Sequence, residues 1–429
     1  MKTTVILRPH QGIVMLFLAA FIPPSLAAPA SAPGTLLWNG DALARHKAAW
    51  RASPDDGAPG APRAALPALL DEAGAALAQP PLSVVTGKRR PAASGDPHDY
   101  FSVSYYSWPN PNTPDGLPYV YRDGEINHDG AHDRATLGKL LKTLRPLALA
   151  WHFTDDPRHA AHAARLLRAW FLDPATRMNP HMRYAQAIPG SNDGRPPGMI
   201  DAVVLLEIVD CIQLLKNSPQ PTPADHAALK TWFSEFLTWC LESDFGHAEA
   251  AKGNNHGTWY YAQTGLYAAF AGREDEIRPL YETRLLPLIR SQIEADGRQP
   301  LELRRTRSMH YSAYNLTAWA HIATLARRMG LDYWNPSHPI GERLHAALSY
   351  LARHSDPAVK WPHPEIQPQP ERNQLRALFL RANAAAPASL YDSALAVLPD
   401  DPPEQNYIRF VYGFPAPSPV CRQASANPR

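Results

Sequence analysis

Beyond about residue 134, apolar positions recur every three to four residues, in runs that come in pairs separated by short polar turns. LGKLLKTLRPLALAWHFT (137–154) is closed by Asp155-Asp156-Pro157, and RHAAHAARLLRAWFL (158–172) stops at Asp173-Pro174. The spacing predicts amphipathic helices, and the Asp and Pro residues predict their ends. IDAVVLLEIVDCIQLL (200–215) precedes PADHAALKTWFSEFLTWCL (223–241). WYYAQTGLYAAFA (259–271) precedes EIRPLYETRLLPLIRSQI (276–293), and AYNLTAWAHIATLARRM (313–329) precedes GERLHAALSYLARH (341–354). Helical hairpins in series predict an all-α fold. Closed up they make an (α/α) toroid, an incomplete α/α barrel of about six to seven hairpins, with one helix of each pair inside and one outside. A plain bundle or an open solenoid would satisfy the same period. There is no βαβ alternation and no Gly-rich phosphate loop.

Ahead of this region the pattern changes. Lys2 and Arg8, the apolar run Gly12 to Ile22 and the small residues of PPSLAAPASA read as a secretory signal, cut shortly after Leu26. The run is too short for a comfortable membrane span, and no cysteine follows to carry a lipid. A periplasmic or secreted protein without stable membrane insertion is expected. Residues 1–27 are then the leader, 28–65 an Ala/Pro/Gly-rich segment with an apolar anchor at Leu36-Leu37-Trp38, 66–413 one domain and 414–429 a polar tail. A first helix is expected over 66–80. Residues 98–130, rich in Tyr, Trp, Pro, Asn and Gly, read as a long ordered loop, too aromatic for a solvated linker.

Composition narrows the partners. The net charge is +2 and only 19% of residues are charged, so nothing favours nucleic acid or a polybasic membrane contact; an anion would have to be read by a local pocket. The 11 Trp and 17 Tyr suit stacking on sugars as well as packing in a large helical core. Cys211, Cys240 and Cys421 have no metal-ligand spacing; the first two fall in apolar runs and read as buried thiols.

Four segments concentrate polar chemistry. In GNNHGTWYY (253–261) a helix begins, so Asn254 or Asn255 is a natural cap. Capping explains one asparagine, not two with His256 beside them and Trp259 a turn later. The positive helix end, an amide and an imidazole together suit a carboxylate. In QPLELRRTRSMHYSAYNL (299–316), Arg304, Arg307, Tyr311 and Tyr314 would share a helical face, with Arg305 and His310 between them. Arginines entering a core are costly without an anion. In YYSWPNPNTPDGLPYVYRDGEIN (105–127), prolines fix an extended loop that offers Tyr106 and Trp108 for stacking, with Tyr119 and Tyr121 behind them. In NPHMRYAQAIPGSNDGRPPG (179–198), Tyr184, Gln186, Asn192 and Arg195 offer hydrogen bonds to hydroxyls or a carboxylate.

These segments carry a resemblance. GNNHGTWYY resembles the NNH motif of the alginate lyase superfamily of polysaccharide lyases. YYSWPNP, GLPYVYRDGEIN, AWFLDPATRMNPHMRYAQAIPG and QPLELRRTRSMHYS resemble the secreted members of that superfamily, over roughly residues 95–355. The resemblance implies the toroid, lyase activity on an anionic uronate polysaccharide such as polymannuronate or glucuronan, and no metal or cofactor. It places Asn255 and His256 at the carboxylate-neutralising and base positions and Tyr311 at the catalytic tyrosine. Its Glu-Leu-x-Arg pattern selects Arg305, with Arg304 and Arg307 open because the spacing to the tyrosine differs by one residue. Tyr106, Trp108, Tyr184, Gln186, Asn192, Arg195, Asn254, Trp259 and His310 are the expected substrate-binding residues.

A lyase of this kind removes the C5 proton of a uronate and expels the C4 oxygen, so the site needs donors to the carboxylate, a base and an acid. A neighbouring arginine is expected to lower the Tyr311 pKa. One well-placed tyrosine favours mannuronate or glucuronate, in which the C5 hydrogen and C4 oxygen lie on one side. A glycoside hydrolase, with Asp193, Asp201 or Glu302 as its carboxylates, and a non-catalytic polysaccharide-binding protein are the competing readings.

Overall fold

The computed structural model describes residues 32–52, 65–367, 372–385, 390–399 and 407–413. The expected leader, the tail and Cys421 lie outside these residues.

Leu36, Leu37 and Trp38 are buried, as their apolar character requires, and all three backbone N–H groups donate to the carboxylate of Asp210, at 2.5, 3.0 and 2.8 Å. The anchor leads into α1 (Gly40–Ala52), a helix that the Pro- and Gly-rich composition around it concealed. Its buried face is only Ala42, Leu43 and His46, too narrow for a clear period. Helix α2 (Ala65–Leu77) follows. The expected loop over 98–130 contains three short strands: β1 (Phe101–Val103), β2 (Ser107–Trp108) and β3 (Val120–Tyr121). β2 and β3 pair antiparallel, and β1 pairs in parallel with β4 (Tyr184–Ala187) through a bulge.

The helical run begins with α3 (Asp133–Thr154). In α4 (Pro157–Leu167), Asp156 caps the N-terminus and Pro157 occupies the first turn; a π turn over Arg168–Leu172 continues it. A 3₁₀ turn, Pro196–Val203, opens into α5 (Val204–Leu214). α6 (Pro223–Glu242) carries a reciprocal Thr222–Asp225 capping box. α7 (Asp244–Ala250) and α8 (Asn255–Ala271) follow, the latter ended by Gly272 in the left-handed region. The chain continues through α9 (Glu274–Gln292), α10 (Pro300–Leu303), α11 (Ser308–Arg328), α12 (Pro339–Ala352), α13 (Gln374–Ala385), α14 (Asp392–Ala396) and α15 (Tyr407–Tyr412).

Helices α3, α5, α8, α11 and α13 pack successively on one another, while α4 covers α3, α6 and α9 cover α8, and α12 covers α11. This inside-and-outside pairing is the (α/α) toroid. The inner helices α8 and α11 are buried around most of their circumference, so their polar residues must be paired internally. The Oε1 of Gln292 accepts from Thr258 Oγ1 (3.0 Å), Asn315 Nδ2 (3.3 Å) and Trp319 Nε1 (2.8 Å), while its Nε2 donates to the Asn254 carbonyl (2.9 Å). Gln299 takes the Asn315 amide at 2.8 Å. These bonds fix the start of α8 against α9 and α11.

The single helical face expected over 304–314 is broken. Arg304 ends α10, and Arg307 precedes α11. The intervening backbone pairs with a distant segment instead: Ile366 N donates to the Thr306 carbonyl at 2.7 Å and Ser308 N to that of Pro364 at 3.3 Å. Cys211 and Cys240 are buried free thiols. No helix among the described residues is long and apolar enough to cross a membrane.

Candidate active site

The start of α8 is built by its own sequence. Asn254 caps it, its Oδ1 accepting from His256 N at 3.2 Å. Gly257 is required by close approach: a Cβ there would sit 2.0 Å from the Lys252 carbonyl oxygen. Asn255 is 1% exposed, and its N and Nδ2 donate to the two oxygens of Glu302 at 2.9 and 2.8 Å. Burial pushes the Glu302 carboxyl above its ordinary range, and the two bonds from Asn255 pull against it. His256 places Nδ1 2.8 Å from Oε2 of the buried Glu249.

The facing group comes from α11 and the 105–127 segment. Tyr311, in the first turn of α11, is 7% exposed. Its oxygen accepts from Arg305 Nη2 at 2.9 Å and makes a short contact with the Tyr106 hydroxyl. The Arg305 guanidinium also lies 3.8 Å over the Tyr311 ring. Asp123 holds that guanidinium at 2.5 Å. Burial alone would raise the Asp123 carboxyl, but hydrogen bonds from Arg305 and Tyr121 hold it down at about 2. The expected acidification of Tyr311 is overturned. Burial pushes the phenol above its ordinary range, Tyr106 adds to that, and Arg305 pulls the other way without outweighing them.

Asn255, His256, Tyr311, Arg305 and Tyr106 line a cavity of about 510 Å³. Arg195, Lys252, Arg305 and Arg307 supply cations to its wall, Tyr105, Tyr106, Tyr121, Tyr311 and Tyr314 supply rings, and Asn254, Asn255, His256, Gln186 and His310 supply amides and imidazoles. No carboxylate lines it among the described residues. Gln186 holds Arg195 in place. Its carbonyl and Oε1 accept from Arg195 at 3.1 and 2.8 Å, its Nε2 donates to buried Asp201 at 2.9 Å, and its φ of 50° is left-handed. Of the three arginines, Arg305 touches Tyr311, Arg307 also lines the cavity, and Arg304 is exposed outside it.

Four expected sugar-binding residues do not line the cavity. Trp259 is turned into the core, its ring 4.6 Å from that of Tyr314. Trp108 bonds the Glu125 carbonyl under Arg122. Asn192 Oδ1 caps a local turn at Ile188 N, 3.1 Å away. Tyr184 packs beside Phe101 and Val103. Conversely, Ser104, Tyr105, Asp123, Glu249 and Lys252 were not anticipated. Asp123 stands inside the quoted YRDG and Glu249 seven residues before His256, but only the fold brings them to their partners. No group of His, Cys, Asp and Glu among the described residues could hold a metal ion.

The sequence matches the family described as Alginate lyase over residues 84–361. The crystal structure of an alginate lyase from Bacteroides ovatus superposes with a TM-score of 0.80 at 34% identity, covering 89% of this chain and 99% of that one. The chain belongs to the alginate lyase family. This family member is accordingly a polysaccharide lyase. Alginate lyase A1-III from Sphingomonas species A1 is more distant, at 14% identity and TM-score 0.46 over 80% of this chain and 94% of that one. A variant of alginate lyase A1-III complexed with a tetrasaccharide gives 12% and 0.46, over 81% and 95%. No curated protein matches the sequence.

Proposed function

We propose that the protein cleaves a uronate polysaccharide, polymannuronate or glucuronan, by β-elimination in the cavity described above. The observation that carries this reading is a cavity wall with four cations and no carboxylate among the described residues. Such a wall neutralises a uronate carboxylate and so acidifies the adjacent C5–H. Asn255 lies against the same wall, its amide oriented by Glu302. Because burial keeps Tyr311 protonated, its role is to donate a proton to the departing C4 oxygen. His256 then takes the C5 proton. The C5–H electron pair becomes the C4=C5 double bond as the C4–O bond breaks, and transfer of the imidazolium proton to the Tyr311 phenolate restores the enzyme.

His256 and Tyr311 sit in the first turns of α8 and α11, which are packed neighbours. We assign both proton transfers to this pair acting on one side of the sugar, the geometry that β-D-mannuronate and β-D-glucuronate require. The hydrolase reading fails on placement: Asp193 is exposed outside the cavity, Asp201 is committed to Gln186 and Ser102, and Glu302 to Asn255. With the leader read in residues 1–27, the enzyme acts after export.

The test is the purified protein on polymannuronate, polyguluronate, glucuronan and pectate, followed by ultraviolet absorbance of the conjugated product. Absorbance growth on polymannuronate or glucuronan is expected. Reducing ends released without absorbance, or polyguluronate cut faster than both, would overturn the reading.

A further inference from the structure

Glu249, on α7, is 2% exposed. Its Oε2 lies 2.8 Å from His256 Nδ1, and its Oε1 is buried with no hydrogen-bond partner among the described residues. A carboxylate removed from water ordinarily gathers several donors or a cation. This one has the imidazole. A carboxylate accepts, so the shared proton sits on Nδ1, and Nε2 carries the lone pair. The peptide N–H of His256 is held by Asn254, so the ring is fixed from both its backbone and its Nδ1 side.

We infer that Glu249 is a positioning residue: it fixes the His256 tautomer with Nδ1 protonated, presents Nε2 to the cavity as the proton acceptor, and supplies the counter-charge once the ring becomes an imidazolium. This rests on the reading that His256 receives the C5 proton. Glu249 touches no substrate; it acts through the ring, as a buried carboxylate does for a catalytic histidine in other enzymes.

The experiment uses the full chain as wild type, Glu249→Gln, Glu249→Met and His256→Ala. Heteronuclear NMR of the histidine ring nitrogens, with His256→Ala supplying the assignment, reads the tautomer without reference to activity. Wild type is expected to show a protonated Nδ1 and a bare Nε2, and Glu249→Met a mixture. Both Glu249 variants should lose at least about 10-fold in kcat with KM changed less than about threefold. A wild-type ring protonated on Nε2, or variants with unchanged ring signals and unchanged kcat, would overturn the inference. If His256→Ala keeps full kcat while the wild-type tautomer is as expected, the base assignment fails and the hold of Glu249 on the ring stands. Should Glu249→Met not fold, the near-isosteric Glu249→Gln carries both measurements, checked by an unchanged thermal melt.

Discussion

The Tyr311 oxygen accepts from Arg305 Nη2 at 2.9 Å and touches the Tyr106 hydroxyl. RSMHYS marks Tyr311, and its arginine neighbour suggests an acidified phenol. In the folded protein burial is the larger effect, and the phenol stays protonated. Tyr311→Phe should therefore cut kcat by at least about 100-fold while oligosaccharide binding, measured calorimetrically, changes little; near-normal turnover would remove it from the mechanism. Asp123 works one step back by holding Arg305. Asp123→Ala frees the guanidinium from its bidentate clamp, and kcat/KM should fall by about 10- to 100-fold, with the far-ultraviolet circular dichroism unchanged. An undiminished kcat/KM would make the clamp incidental. The NNH triplet was legible because capping is local: the chemistry of Asn254 lies within two residues. Whether Trp259, Trp108, Tyr184 or Asn192 reaches a ligand depends on which wall each side chain faces, and no local pattern encodes that.

At the scale of elements, periodicity and caps located most of the inner and outer helices, because Asp156-Pro157 and Thr222-Pro223 are signals a helix end needs wherever it lies. The break between α10 and α11 was invisible. It depends on Thr306 and Ser308 bonding residues near 365, some sixty positions away. Gly257→Ala puts a methyl against the Lys252 carbonyl and should destabilise the start of α8 by about 1–3 kcal/mol, read as a lowered Tm together with a lowered kcat. Asp210 accepts three N–H groups from the 36–38 anchor, and burial raises its carboxyl to about 6 against those bonds. The folded value exceeds the ordinary carboxylate value of about 4, so the folded state binds the proton more tightly. Its contribution is full below about pH 4 and is lost as the pH rises through about 6. Urea stability of wild type measured against Asp210→Asn should accordingly fall across that window; a rise would contradict the assignment.

For the whole molecule, a net charge of +2 conceals a strongly uneven distribution, with four cations facing one cavity. Long-range steering of a polyanion is therefore weak, and attraction is local. Raising salt from about 0.05 to about 0.5 M should raise KM, because a polymer at the rim is screened. It should leave kcat nearly constant, because the enclosed groups are not. A matching fall in kcat would place the salt-sensitive charges in the chemical step.

His256 and Tyr311, the proposed proton-transfer pair, stand on packed helices, whereas Tyr106, Tyr121 and Asp123 come from the strand-and-loop segment at 105–127. The proposed chemistry thus rests on the helices, while the strand-and-loop segment supplies another part of the cavity wall. A graft that replaces this segment to suit another polyuronate leaves His256 and Tyr311 on their scaffold, but it removes the carboxylate that steadies Arg305. A transplanted loop would have to bring an acidic residue to the place of Asp123 and a hydroxyl to that of Tyr106, so a designer's freedom in that segment ends at those two positions.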